Sequence, residues 1–256
     1  MAALALACAA MCLAGCGGKP QTFAKTFDVG GYKLFLECRG HGEPAVILET
    51  GLGSSDEEAW TRIERPARRI TRVCEYDRAG LGRSEPRPGS SPAPVGRVAR
   101  ELHRLLGAAG VDPPYVYVGH SIGGIYALAY SAAYPDEVAG AVYVDSTDPL
   151  YATGVLPDGA GAVDYGPPDP SLLHVRLGRR PAIYLSAHNS GAGYLRGAIN
   201  ASRVEAVGSG HSIQDDRPKL VLEAVREVVY AAREDMPLPP CRHSALVRDG
   251  GRCLRR

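Results

Sequence analysis

The chain predicts an α/β fold, a mostly parallel eight-stranded sheet with helices on both faces and a short irregular lid. Two observations carry this expectation. Short apolar runs alternate with amphipathic stretches of helical length along most of the sequence, the pattern of a sheet covered on both sides. One run, Tyr115-Val116-Tyr117-Val118, passes through a glycine-rich turn directly into a helix-compatible stretch at 125–134. At 256 residues the chain fits one such domain, which can bury most of its apolar surface without metal or partner.

In chain order, strands are expected at 22–29 and 32–38, a hairpin turning at Gly30-Gly31, and then at 45–49, 72–76, 115–118, 141–145, 182–186 and 203–207. Helical spacing marks 57–70, 95–109, 125–134 and 219–233, with Gly110 and Pro135 stopping two of these. The segment 147–180 is rich in Gly, Pro and Asp, with one modest helical candidate at 172–177, and is read as a lid over the carboxyl edge of the sheet. The organisation is therefore a signal segment 1–15, a linker 16–21, one domain 22–236 containing the lid, and an irregular tail 237–256.

Residues 119–124 read Gly-His-Ser-Ile-Gly-Gly, a G-x-S-x-G sequence between a strand and a helix. Small residues at Gly119 and Gly123 let strand and helix approach while Ser121 Oγ projects clear of both, with the helix N-terminus beneath any negative charge formed there. The same residues also read as a plain glycine turn; the strand and helix on either side favour a nucleophile elbow. A serine hydroxyl needs a base to take its proton. Of seven histidines, His211 is the candidate, because Gly208-Ser209-Gly210-His211 follows the last expected strand at the same sheet edge as Ser121. His120 is adjacent to the serine and is expected to point elsewhere. Two backbone N–H groups should face the developing oxyanion. Ile122 supplies one, and Leu52, in the glycine-rich loop Glu49-Thr50-Gly51-Leu52-Gly53-Ser54, is the candidate for the other.

The first fifteen residues are nearly all small or apolar and too few to span a bilayer. They lead into Leu13-Ala14-Gly15-Cys16, which resembles the lipobox of bacterial lipoproteins and implies export with Cys16 as the lipidated residue, although no positive residue precedes Leu4. An apolar helix retained in the fold is the competing reading; it would carry Cys8 and Cys12 and no polar face. In an oxidising compartment Cys38, Cys74, Cys241 and Cys253 make an even four. Cys241 and Cys253 lie close in the tail, where a bridge would supply order that burial does not. Cys38 and Cys74 fall in two expected strands, where a bridge and two buried thiols both remain open.

Three motifs together resemble the α/β-hydrolases of the single-domain serine esterase type: Gly-His-Ser-Ile-Gly-Gly, the run Tyr76-Asp77-Arg78-Ala79-Gly80-Leu81-Gly82-Arg83-Ser84 after the fourth strand, and Gly208-Ser209-Gly210-His211-Ser212-Ile213-Gln214. The resemblance extends from about 22 to 233, implies hydrolysis by a catalytic triad, and would place Cys38 beside Cys74. The chain departs from the family at the triad acid. The usual position after the seventh strand reads Ser186-Ala187-His188-Asn189-Ser190-Gly191, with no carboxylate. An alternative family position follows the sixth strand, where Asp145 stands; the competing reading makes it a cap at the strand end. Asp148, Asp164 and Asp169 in the lid are further carboxylates, and Asp215 and Asp216 are expected to cap the last helix. Asp77 is expected to order its own glycine loop.

The reading is an exported, lipid-anchored serine hydrolase acting on a small-molecule ester. A peptidase or lactonase using the same triad, or a non-catalytic binding lipoprotein that keeps the fold, are the alternatives. A net charge of +1 and the absence of a basic stripe argue against a nucleic-acid partner, and no metal or cofactor is implied because no ligand-spaced cluster appears. Nothing in the chain speaks to its oligomeric state.

Overall fold

The computed structural model describes residues 22–53, 56–89, 93–147, 149, 172, 174–187 and 192–255. The signal segment with Cys16, and most of the expected lid with Asp148, Asp164 and Asp169, lie outside the described residues.

The strands are β1 (Phe23–Asp28), β2 (Lys33–Arg39), β3 (Ala45–Glu49), β4 (Val73–Tyr76), β5 (Tyr115–His120), β6 (Val138–Val144), β7 (Ala182–Ser186), β8 (Ala201–Ala206) and β9 (Gly251–Cys253). The helices are α1 (Asp56–Ala67), α2 (Val95–Ala109), α3 (Gly123–Ala133), α4 (Ile213–Asp216), α5 (Pro218–Arg233) and α6 (Ala245–Arg248). Among the described residues these nine strands form one sheet in the order β1-β2-β4-β3-β5-β6-β7-β8-β9. The pairs β3/β4, β3/β5, β5/β6, β6/β7 and β7/β8 are parallel, while β1/β2, β2/β4 and β8/β9 are antiparallel.

Period-two alternation in the central strands separates two cores. Tyr115 and Tyr117 of β5 pack with Leu102, Leu105 and Leu106 of α2 and Ile125 and Leu128 of α3. Val116 and Val118 pack on the other face with Trp60 and Ile63 of α1 and Leu220, Val225 and Val228 of α5. Each fully buried side chain of this size favours the fold by roughly 1.5–3 kcal/mol over exposure. Helix α2 buries residues 95, 98, 99, 102, 105 and 106, the stripe its spacing predicts, and ends where Gly110 takes φ +65°.

The structure differs from the sequence reading in several places. The sheet has nine strands, because the expected tail is ordered: Leu246 of α6 is buried, Ser244 Oγ caps α6 by accepting from Leu246 N, and Gly251 enters β9 against Val204 of β8, where a Cβ would sit 2.6 Å from Val204 Cγ1. β6 begins three residues earlier than expected, at Val138. Residues 175–177 of the modest lid helix are not helical, although Leu172 and Leu177 are buried in the core on the α2 and α3 side. Among the described residues there are two disulfides: Cys38 and Cys74 are directly opposed across β2 and β4, and Cys241 is joined to Cys253 of β9.

Candidate active site

The strand order reverses around β3. β4 lies on one side of it and β5 on the other, so the loops leaving β3 and β5 part in opposite directions and open a crevice at the carboxyl edge of the sheet. Ser121 stands at that point. It holds φ +54°, a left-handed conformation that costs a residue with a Cβ of order 1 kcal/mol or more. Hydrogen bonds enforce it, since Ser121 N donates to Val144 O at 3.1 Å and Ser121 O accepts from Gly124 N and Thr147 N, each at 3.1 Å. The turn is as tight as the glycines permit: a Cβ on Gly119 would lie 2.8 Å from Gly123 C, and one on Gly123 would lie 2.4 Å from Glu49 O.

A second strained residue lies at the end of the neighbouring strand. Asp145, directly after β6, has φ +38° and is buried. Its backbone N donates to Leu185 O at 2.8 Å, and its Oδ1 accepts from Ala187 N at 2.9 Å. The remaining oxygen, Oδ2, lies 2.7 Å from His211 Nδ1, so the carboxylate is aimed at the imidazole by the backbone around it. The His211 side chain is 54% exposed while that of Asp145 is 8% exposed, which leaves the ring accessible from solvent and its partner sheltered. Among the described residues no hydrogen bond joins Ser121 Oγ to His211, consistent with contacts of this kind that close only around bound substrate.

The loop carrying His211 is held from two sides. Asp216 Oδ2 accepts from Gly210 N at 2.7 Å and from Ser209 Oγ at 3.2 Å, so this carboxylate orders the histidine loop rather than capping α5, whose N-cap residue Arg217 makes no side-chain cap. His120 Nε2 donates to His211 O at 3.1 Å, and the two imidazole rings lie 4.7 Å apart. Burial, with the nearby His211 as a second cause, pushes the His120 pKa down to about 4, so near neutrality it is an uncharged brace with its proton on Nε2. The sequence reading, which had His120 pointing elsewhere, missed this role; its contact with a residue 91 positions away left no local signal.

The two candidate oxyanion donors lie just after β3 and just before α3. Ile122 precedes Gly123 with φ −62° and ψ −24°, and among the described residues its N–H has no backbone acceptor. Gly51 packs against the elbow so closely that a Cβ there would lie 3.3 Å from Ser121 Cβ, and Leu52 follows it as an exposed residue. Beneath this loop is a buried ion pair that the sequence reading did not anticipate, Arg78 Nη1 to Glu49 Oε1 at 2.6 Å, with Tyr76 OH donating to Glu49 Oε2. Burial raises the Glu49 carboxyl above its ordinary range against the opposing pull of Arg78. Asp77 orders its own loop as expected: Oδ2 accepts from Arg83 N at 2.9 Å. Among the described residues no group of three or more His, Cys, Asp or Glu side chains is arranged to hold a metal, and no helix is long and apolar enough to cross a membrane.

A parallel sheet with antiparallel edges, a serine elbow at the reversal of strand order and a histidine after the last parallel strand define the α/β-hydrolase fold, and this chain has it. The family profile described as alpha/beta hydrolase fold matches residues 44–166. The chain is 36% identical over 127 residues to an AB hydrolase superfamily protein of Gibberella zeae, covering 44% of this chain and 37% of that protein. It is 24% identical over 245 residues to the uncharacterized protein YqjL of Bacillus subtilis, covering 84% and 95% respectively. Among solved structures, the enol-lactonase from Burkholderia xenovorans LB400 aligns with a TM-score of 0.65 at 16% identity, over 80% of this chain and 100% of that one. The chain spans 18%, 37%, 21% and 39% of the length of four curated relatives that it matches at 32% identity or more.

Proposed function

We propose that this chain is a serine hydrolase that cleaves carboxylic esters through an acyl-enzyme. Ser121 Oγ attacks the ester carbonyl carbon while His211 Nε2 takes the hydroxyl proton. Asp145 accepts from His211 Nδ1–H, holding the productive tautomer and stabilising the imidazolium as it forms. The N–H groups of Ile122 and Leu52 receive the oxyanion of the tetrahedral intermediate. Its collapse expels the alcohol with the proton carried by His211, and a water activated by the same ring then releases the acid and restores Ser121.

The observation that carries this reading is the 2.7 Å contact between His211 Nδ1 and Asp145 Oδ2 at the strand edge beside the strained Ser121. A fluorophosphonate probe tests it. The wild-type protein should label and hydrolyse short p-nitrophenyl esters, and Ser121→Ala should do neither. A folded wild-type protein inert to both would instead be a binding protein that keeps the fold. Lactones are cyclic esters open to the same attack, and the likeness to an enol-lactonase favours including them in the substrate panel.

Export and a lipid anchor at Cys16 complete the proposal, motivated by Leu13-Ala14-Gly15-Cys16 and by two disulfides that suit an oxidising compartment. Cys16→Ala should release the protein from the membrane fraction; unchanged fractionation would reject the anchor.

A further inference from the structure

The buried ion pair under the β3 loop has no place in the hydrolytic scheme above, yet it touches the loop that the scheme depends on. Arg78 Nη1 donates to Thr50 O at 2.8 Å as well as to Glu49, and Nη2 donates to Gly51 O at 2.5 Å. One guanidinium thus holds two successive carbonyls of the loop. Its donors form a rigid planar fork, so the directions of those carbonyls are fixed relative to each other. In a trans peptide the C=O and the following N–H point in opposite directions, so holding Gly51 O on Arg78 turns Leu52 N–H to the side away from the guanidinium. A hydrogen bond from a cation to a carbonyl also polarises the peptide and strengthens its N–H as a donor.

The surroundings hold the guanidinium in place. Glu49 and Arg78 are both buried, Tyr76 OH bonds the second Glu49 oxygen, and the Tyr126 ring lies 5.1 Å from the guanidinium carbon. A buried pair of this kind is a poor source of stability, because the desolvation of both charges offsets their attraction. Its contacts to Thr50 and Gly51, one residue from the oxyanion candidate, supply another reason for its presence.

We infer that Arg78, fixed by Glu49, is a positioning residue that orients and polarises the Leu52 N–H for oxyanion binding. The inference rests on the serine-hydrolase reading.

The test uses the full chain and p-nitrophenyl acetate. Arg78→Lys keeps a positive charge beside Glu49 but replaces the fork with a point donor. It is expected to lower kcat by about 10²-fold, the order seen when one oxyanion donor is lost, with KM within about threefold and an unshifted pH profile. Arg78→Gly should fall at least as far and recover part of kcat in millimolar ethylguanidinium. If that variant does not fold, Glu49→Leu combined with Arg78→Met removes both charges together and is expected to fold with the same kcat loss. Undiminished kcat in folded Arg78→Lys, or a loss confined to KM, would overturn the role of Arg78 while leaving the hydrolase reading intact. A folded wild-type protein without esterase activity or probe labelling would overturn the hydrolase reading itself.

Discussion

Ser121 and Asp145 occupy left-handed backbone conformations at the ends of adjacent strands, and hydrogen bonds from neighbouring strands hold both. Strain enforced in this way keeps a side chain where the backbone alone would not leave it. The Asp145 carboxylate is bound by Ala187 N through one oxygen and faces His211 through the other, so replacing that second oxygen changes the tautomer rather than the fold. Asp145→Asn is therefore expected to fold normally and to lose about 10³- to 10⁴-fold in ester kcat, as removal of the orienting carboxylate does in Ser-His-Asp sites; steady-state kinetics beside a melting curve checks both halves. A different, partly buried acid makes stability depend on pH. Glu75 is raised to about 8 by burial and then by Glu64 and Glu37, with Arg39 and Arg83 opposing, and among the described residues its Oε1 has no hydrogen-bond partner. The folded state keeps this proton up to about pH 8 while the unfolded chain gives it up near 4.5, so stability from this group is full below 4.5 and falls as pH rises between those values. Glu75→Gln should leave the melting temperature nearly unchanged near pH 4.5 and stabilise by up to about 4 kcal/mol at pH 8. Equal shifts at both pH values would show that charge is not the cause.

The elbow works as a joint between β3, β5 and α3, and glycines set its clearance. Gly123 is the tightest: a Cβ would press on Glu49 O at 2.4 Å and Thr50 O at 2.6 Å, both backbone atoms that cannot swing aside. Gly123→Ala is expected to cost about 3 kcal/mol, or roughly 10 °C in Tm, and to depress kcat beyond what the lost stability explains, because it pushes the 49–51 loop from Ser121. Calorimetry with kinetics well below the melting range separates the two effects. The elbow and most of the sheet were legible in the sequence, since period-two and period-3.6 patterns and flanking glycines are local signals; β3 and β7 have the expected bounds. β9 was not, because Gly251-Arg252-Cys253 has no apolar alternation, and its order comes from pairing with β8 and from the bond to Cys241. Asp145 was legible as a triad-acid candidate only through the family position after the sixth strand, beside the competing reading of a strand-end cap. Its aim at His211, the brace from His120 and the grip of Arg78 on Thr50 and Gly51 come from chain segments that meet only when the sheet closes.

The two disulfides sit toward opposite ends of the sheet, and the C-terminal one is coupled to the candidate site. Cys38–Cys74 ties β2 to β4 across a separation of 36 residues, and Cys241–Cys253 ties β9 to the segment after α5 across 12. By loop-closure entropy these separations correspond to about 4 and about 3 kcal/mol. The residue leading into β9 also steadies the start of the histidine loop, since Val207 N donates to Gly250 O at 3.1 Å, while Arg217 at the N-cap of α5 donates from Nη2 to Val207 O at 2.7 Å. Removing the second bridge frees the C-terminal strand and, with it, the segment leading to His211. Cys241→Ser with Cys253→Ser is therefore expected to lower Tm by several degrees and to lose ester turnover on warming before the bulk of the fold melts. Cys38→Ser with Cys74→Ser, the longer closure, should lower Tm further while activity and global unfolding fall together. Parallel scans of esterase activity and far-UV circular dichroism resolve the two patterns. Coincident curves for the Cys241 and Cys253 variant would show that β9 does not hold the histidine loop.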